Sequence, residues 1–412
     1  MAKFTTRHDH TDWVTHFVRD RRPEQDFPGA EEDEAGFYQG GELDADATAF
    51  EVLQAIIRLG GITPGYSFRN GQTTIYGGQP AVCATEMPLY SFAMYVRKRA
   101  DPSKVSSYGI AFLKSEFFSA GGRPAIYGLS AEEVDYVYNT DVNRVLLDSV
   151  LPQHEQFRYV SYNPSSKSSW IDWSHEREWR WVARDLAKDE IWVQDYNGMY
   201  GPTAALPLFK GQLEGRPFTR VCLIVWSHEE AEQIRETLTG LYLAGSNNYD
   251  TPFDKDLIAR SHIIVLQDVI DAVEKGKDLE AQTIEGLAKA NLLHSITIHA
   301  PPSNAAQIVA TAMASAGAAA KAAAKKFKAQ HGRGAGYCGF AHAVTYEVTE
   351  PIVQYLLATG QASGPFDGAV WIKFPEGGGS QSMDFNEAVC EAAAKALSTA
   401  LGVSVHMESR AD

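Results

Sequence analysis

The run Trp173-Ser174-His175-Glu176-Arg177-Glu178-Trp179-Arg180-Trp181 is the strongest local signal for chemistry in the chain. On a strand, successive side chains alternate, so Glu176, Glu178 and Arg180 would share one face and Arg177, Trp179 and Trp181 the other. Two carboxylates at that spacing repel each other. That is costly in a core and useful in a cleft, where one of them must grip a ribose hydroxyl or withdraw a proton. The same run also suits a solvated strand whose Glu and Arg side chains pair above packed tryptophans. His175 adds a group that can act as a base near neutral pH, and as readily a surface histidine.

Other candidates are more scattered. Arg69 sits in a glycine-rich loop, Pro64 to Gln79, flanked by Tyr66, Phe68 and Tyr76, whose rings could stack on a base or anchor the loop. Glu86, just before Pro88, could face a cleft or cap the helix expected at Leu89. His8, His10 and His16 lie close together with Asp9 and Asp12, but no fixed scaffold holds them, so they read as a polar arm and no metal is expected. Lys325, Lys326 and Lys328 end an Ala-rich helix, and Arg333 lies in the glycine-rich turn after it, in a segment without acids. They suit a phosphate backbone, or the dipole of a solvated helix end. Phosphate-loop, dinucleotide-fingerprint, zinc-hydrolase and nucleophile-elbow motifs are absent, which disfavours phosphotransfer, Rossmann-type hydride transfer and zinc hydrolysis.

These side chains must be carried by a chain of 412 residues, 44% hydrophobic, which is long enough for two cores. Its net charge of −15 argues against a surface that grips nucleic acid throughout. The cysteines Cys83, Cys222, Cys338 and Cys390 lack metal-site spacing and read as reduced thiols, and no apolar run suits a membrane span. A cytoplasmic protein without membrane contact is expected. Residues 1–35 read as an acidic and polar arm, followed by a strand-like start at Phe37–Gly41 and a helix from about Asp46 to Leu59 stopped by Gly60-Gly61. Strands are expected near 80–85, 108–113, 178–183, 221–226 and 261–266, with helices at 89–98, 131–150 and 227–241. Past Leu287 the composition shifts. Strands near 294–299, 341–346, 369–374 and 403–407, and helices at 305–329 and 385–401, predict a small α+β domain over 290–412.

Residues 36–275 resemble the AbiGi-type abortive-infection (phage-resistance) family and related bacterial domains. The resemblance is carried by Gly60-Gly61-Ile62, Val82 to Leu89, Tyr108 to Lys114, Pro124 to Tyr127 and the Glu-x-Glu-Trp-Arg run. The order of parts also looks like the mono-ADP-ribosyltransferase layout, so the implied fold class is α+β: an ADP-ribosyltransferase-like split β-sheet domain over 36–285, followed by the smaller C-terminal domain for target or partner recognition. The resemblance implies NAD as substrate and a late-strand glutamate that stabilises oxocarbenium-like charge as nicotinamide departs. It assigns the catalytic role to Glu178 and acceptor orientation or deprotonation to Glu176. It places Tyr38, Gln39 and Thr85 at the cofactor, with Tyr76 for stacking. The family has an Arg or His on its opening strand; Tyr38-Gln39 has neither, and Arg69 is the substitute at hand. The implied activity is that of a toxin or phage-defence effector moving ADP-ribose to nucleic acid or protein. A non-catalytic sensor or neutralising partner in an abortive-infection system and an NAD glycohydrolase are the alternatives, and an antitoxin or sensor is the partner such a system implies.

Overall fold

The computed structural model describes residues 10–22, 43, 46–66, 68–69, 72–98, 106–129, 136–139, 144–165, 170–185, 188–194, 200–209, 218–249, 251–276, 284–296, 301–332, 337–366, 368–375 and 380–411. The chain is mixed α and β and divides into two compact units. The first comprises 1–234 and 245–296, the second 235–244 and 297–412.

The first unit is built on one mixed eight-stranded sheet. Its strands are β1 (Trp13–Val18), β2 (Val82–Thr85), β3 (Tyr108–Leu113), β4 (Arg123–Pro124), β5 (Glu178–Trp181), β6 (Cys222–Val225), β7 (His262–Val265) and β8 (His294–Ser295). They lie in the order β8-β7-β6-β3-β1-β2-β5-β4. Only β6 and β7 pair in parallel; the other neighbours are antiparallel. β6 is buried at every position, as its unbroken apolar run requires of a strand covered on both faces.

β1 corrects the expectation of an N-terminal arm. Trp13, Val14 and Val18 are 6%, 0% and 2% exposed, and β1 lies in mid-sheet between β3 and β2. The alternation of apolar residues with Thr15 and His16 is a strand signal that the surrounding charges mask. A glycine makes the pairing with β3 possible: a Cβ on Gly109 would stand 2.9 Å from Thr15 Cγ2 and 3.0 Å from the His16 carbonyl. Phe37–Gly41, expected as the opening strand, lies outside the described residues, and with it Tyr38 and Gln39.

The helix α1 (Ala49–Leu59) starts and stops where its local chemistry dictates. Thr48 and Glu51 form a reciprocal capping box, and Gly60 closes the helix at φ 78°, a conformation glycine adopts without a Cβ penalty. α2 (Leu89–Lys98) and the short α3 (Lys114–Ser119) follow β2 and β3. A helix expected over 131–150 is replaced by a two-stranded hairpin, Tyr136–Asn139 with Arg144–Leu146. The β-favouring run Tyr136-Val137-Tyr138 outweighs the weaker helical spacing. The parallel strands each lead into a helix, β6 into α4 (His228–Ala244) and β7 into α5 (Leu266–Glu274).

In the second unit, α6 (Ala305–His331) packs its alanine stripe against α8 (Met383–Leu401). The sheet, in order β10-β11-β9-β12, is formed by β9 (Gly339–Thr345), β10 (Ala362–Phe366), β11 (Ala369–Ile372) and β12 (His406–Ala411); α7 (Pro351–Ala358) links β9 to β10. Ala343, Val370 and Ile372 join the helices in the core. Among the described residues no helix is long and apolar enough to cross a membrane.

Candidate functional site

β5 is held between β2 and β4, with Glu178 opposite Thr85 and Arg180 opposite Cys83. Thr85 is in turn opposite Thr15 of β1, so Thr15, Thr85 and Glu178 form a row across three adjacent strands. Arg180 is 4% exposed and clasps Glu178 in a two-pronged ion pair, Nε to Oε1 at 2.7 Å and Nη2 to Oε2 at 3.2 Å. Its remaining donor, Nη1, reaches the Phe157 and Tyr159 carbonyls at 2.8 and 3.1 Å. Burial is the largest single influence and opposes the guanidinium's charge, but the charge and hydrogen bond of Glu178, with Cys83 and Tyr127, together outweigh it and hold the Arg180 pKa above its ordinary value.

The Glu178 side chain is 15% exposed, and its negative charge colours the groups around it. The Tyr127 hydroxyl accepts the Glu178 backbone N–H at 2.5 Å. Burial, helped by the charges of Glu178 and Glu176, pushes its pKa up to about 12. Burial first, then Glu178, also raises the Cys83 thiol, which is therefore no thiolate nucleophile.

Glu176 is not on the strand. Ser174–Glu176 is a single 3-10 turn, and Arg177 follows at φ 46°, so the expected alternation of Glu176 with Glu178 does not occur. The turn is held beside β2 instead. The Thr85 hydroxyl donates to the Glu176 carbonyl and the Glu86 N–H to the Arg177 carbonyl, folding the turn back onto the end of β2. His175 is exposed beside Trp173.

Other sequence candidates fall into different roles. Thr85 is 5% exposed; its hydroxyl, besides donating to Glu176, accepts from the Met87 N–H at 3.1 Å, so it holds the turn against the end of β2. Tyr76 is 2% exposed, with the Arg144 guanidinium 4.3 Å over its ring and Tyr159 edge-on at 4.8 Å, so it anchors its loop and offers no stacking face. The Glu86 carboxylate accepts from Lys114 Nζ at 2.8 Å and from Trp179 Nε1 at 3.0 Å. Arg69 belongs to the two-residue strand Phe68–Arg69, paired with Gln72–Thr73. Lys325, Lys326 and Lys328 are exposed near the end of α6, and Arg333 lies outside the described residues.

Two features escaped the sequence. His16, on β1, donates its Nδ1–H to the Cys83 carbonyl of β2 at 2.8 Å, the acceptor a regular ladder would give to a backbone N–H. Burial holds its pKa below the usual histidine value, which favours the neutral ring with Nε2 as an acceptor. In the second unit, Phe340, Trp371 and Tyr346 are 49%, 37% and 53% exposed, and the His342 ring stacks on Trp371 at 4.2 Å. Alternation in β9 and β11, which puts Ala343, Val370 and Ile372 in the core, turns Phe340, His342 and Trp371 outward.

Comparison with known proteins yields no match to the chain, whether by protein family, by curated protein or by solved structure.

Proposed function

We propose that the first unit is an ADP-ribosyltransferase-like domain that cleaves the N-glycosidic bond of NAD and moves ADP-ribose to a macromolecule. The observation that carries this reading is an oriented carboxylate: Arg180 clasps Glu178 on β5, opposite Thr85 of β2 and with 15% of its side chain exposed. The cofactor side is supplied, as the resemblance implies, by Tyr38, Gln39 and Arg69. His16 takes no part, because the register that puts Thr15, Thr85 and Glu178 on one face of the sheet turns His16 to the other. Arg180 fixes the Glu178 rotamer while leaving lone pairs of the carboxylate for the ribose.

As the bond between nicotinamide nitrogen and ribose C1′ breaks, its electron pair leaves with nicotinamide, and Glu178 stabilises the positive charge on the sugar. An acceptor hydroxyl or amine forms the new bond to C1′ and loses its proton to Glu176 or solvent. Exposed Lys325, Lys326 and Lys328, and the aromatic outer face of the second unit, favour nucleic acid as the acceptor over protein. Within the AbiGi-type resemblance, this activity is that of a phage-defence effector or toxin of the cytoplasm.

A specific observation favours a second reading. An ion pair as closed as Glu178–Arg180 also suits a purely structural clamp, and with it a non-catalytic sensor or neutralising partner. Incubating the purified protein with labelled NAD and cell protein, DNA or RNA separates the readings. Label on polymer that disappears in Glu178→Gln supports transfer, free ADP-ribose indicates a glycohydrolase, and NAD left intact in every mixture supports the binding partner.

A further inference from the structure

Across the sheet from Glu178, five strands away, three side chains from separate elements converge. His228 opens α4, Asp268 lies in the first turn of α5, and His294 lies on β8. The backbone explains why they meet. β6 and β7 are parallel with Val225 opposite Val265, and each runs directly into a helix, so the residues three places further on, His228 and Asp268, stand side by side above the carboxyl ends of the two strands. β8, antiparallel to β7 with His294 opposite Ile263, closes the third side. The carboxyl ends of adjacent parallel strands are where open α/β sheets place their ligands.

His228 Nε2 is 3.0 Å from Asp268 Oδ1, His294 Nε2 is 3.1 Å from Oδ2, and the three ligand atoms all lie within 4.8 Å of one another. We infer that these residues form a binding site for a borderline divalent transition-metal ion of the Zn²⁺ class. A tetrahedral ion with bonds of about 2.0–2.1 Å holds its ligand atoms about 3.3 Å apart. The two distances end on different oxygens of Asp268, so whichever oxygen binds the ion, one edge of that tetrahedron is already close to length. The remaining edges, within 4.8 Å, close by rotation of the carboxylate and of His228, whose side chain is 63% exposed.

The donor set selects the ion. Two imidazoles disfavour Mg²⁺ and Ca²⁺, which take oxygen, and suit Zn²⁺, Co²⁺, Ni²⁺ or Cu²⁺. Each Nε2 that now faces the carboxylate must be unprotonated to bind, its proton moving to Nδ1 or to solvent, and the Asp268 charge reduces the net charge of the bound ion to +1. With three protein ligands and side-chain exposures of 63%, 30% and 27% for His228, Asp268 and His294, a coordination position is left to water or an anionic ligand. Nothing in this site depends on the proposed NAD chemistry.

The test uses the full chain, stripped with chelator and dialysed at pH 7.5. Titration with ZnCl₂ followed calorimetrically is expected to show one equivalent per chain, and Co²⁺ to give a visible d–d spectrum. His228→Ala and His294→Ala should each weaken Zn²⁺ binding tenfold or more, and Asp268→Ala likewise. Cys338→Ser, which alters the exposed thiol of the second unit, should leave it unchanged. Unfolding curves in EDTA should coincide for wild type and the two histidine variants, showing that lost binding is not lost folding. Absence of a stoichiometric Zn²⁺ equivalent, or the same affinity in a triple His228→Ala/Asp268→Ala/His294→Ala variant, would overturn the assignment.

Discussion

Near one end of the eight-stranded sheet, Glu178 is 15% exposed and clasped by a guanidinium only 4% exposed; near the other, His228, Asp268 and His294 meet at side-chain exposures of 27–63%. The chemistry is similar, a carboxylate between cationic or imidazole partners, but burial changes what each arrangement contributes. In the first, removing one partner strands a charge in a poorly solvated place, so the pair is tied to the integrity of the fold. In the second, water replaces any lost partner, so the cluster is nearly neutral for folding and free to serve a ligand. The comparison teaches that a fixed carboxylate and an available one are distinguished by their surroundings, which residue type alone does not show.

The comparison breaks most visibly at Arg180. Arg180→Met leaves Glu178 unpaired and deprives the Phe157 and Tyr159 carbonyls of a donor, for an expected loss of about 3–5 kcal/mol in urea unfolding. A loss under about 1 kcal/mol would place the pair among exposed ion pairs instead. Glu178→Gln keeps the shape and part of the hydrogen bonding, and a smaller loss of about 1–3 kcal/mol is expected. Next comes pH. The folded pKa of His16 is lowered by burial, so the unfolded chain binds the proton more readily. That contribution to stability is present above the unfolded value, near 6.5, and is lost as pH falls below it toward the folded value. His16→Gln should flatten the acid limb of the stability profile, although His262 and His342, also lowered by burial, keep part of it. Thr48→Ala, which opens the capping box of α1, should cost about 1 kcal/mol. Smallest of all, Asp268→Asn in EDTA should change stability by no more than about 0.5 kcal/mol; a larger change would mean that this end of the sheet is also built on its charges.

Much of the scaffold was legible in the sequence because local signals there agree with tertiary burial. α1, α2, β3 and the β6–α4 unit fall where apolar period, capping residues and glycine stops put them. β1 was hidden because a strand flanked by charges on both sides has the composition of an arm until its neighbours are known. The alternation expected of Glu176 and Glu178 fails, because Glu176 lies in a turn pinned by Thr85 and not on the strand, and no sequence rule reports a hydroxyl's long-range acceptor. The His228–Asp268–His294 cluster was not legible either, since its members are 40 and 26 residues apart in the chain and meet only through the parallel register of β6 and β7.

The account turns on whether Glu178 acts on a dinucleotide. The most direct measurement is nicotinamide release from labelled NAD in the presence of nucleic acid, comparing wild type with Glu178→Gln at matched folded fraction. We predict release by the wild type and near-complete loss in Glu178→Gln. Release that is equal in the two, or absent from a wild type that is folded and saturated with NAD, would contradict it.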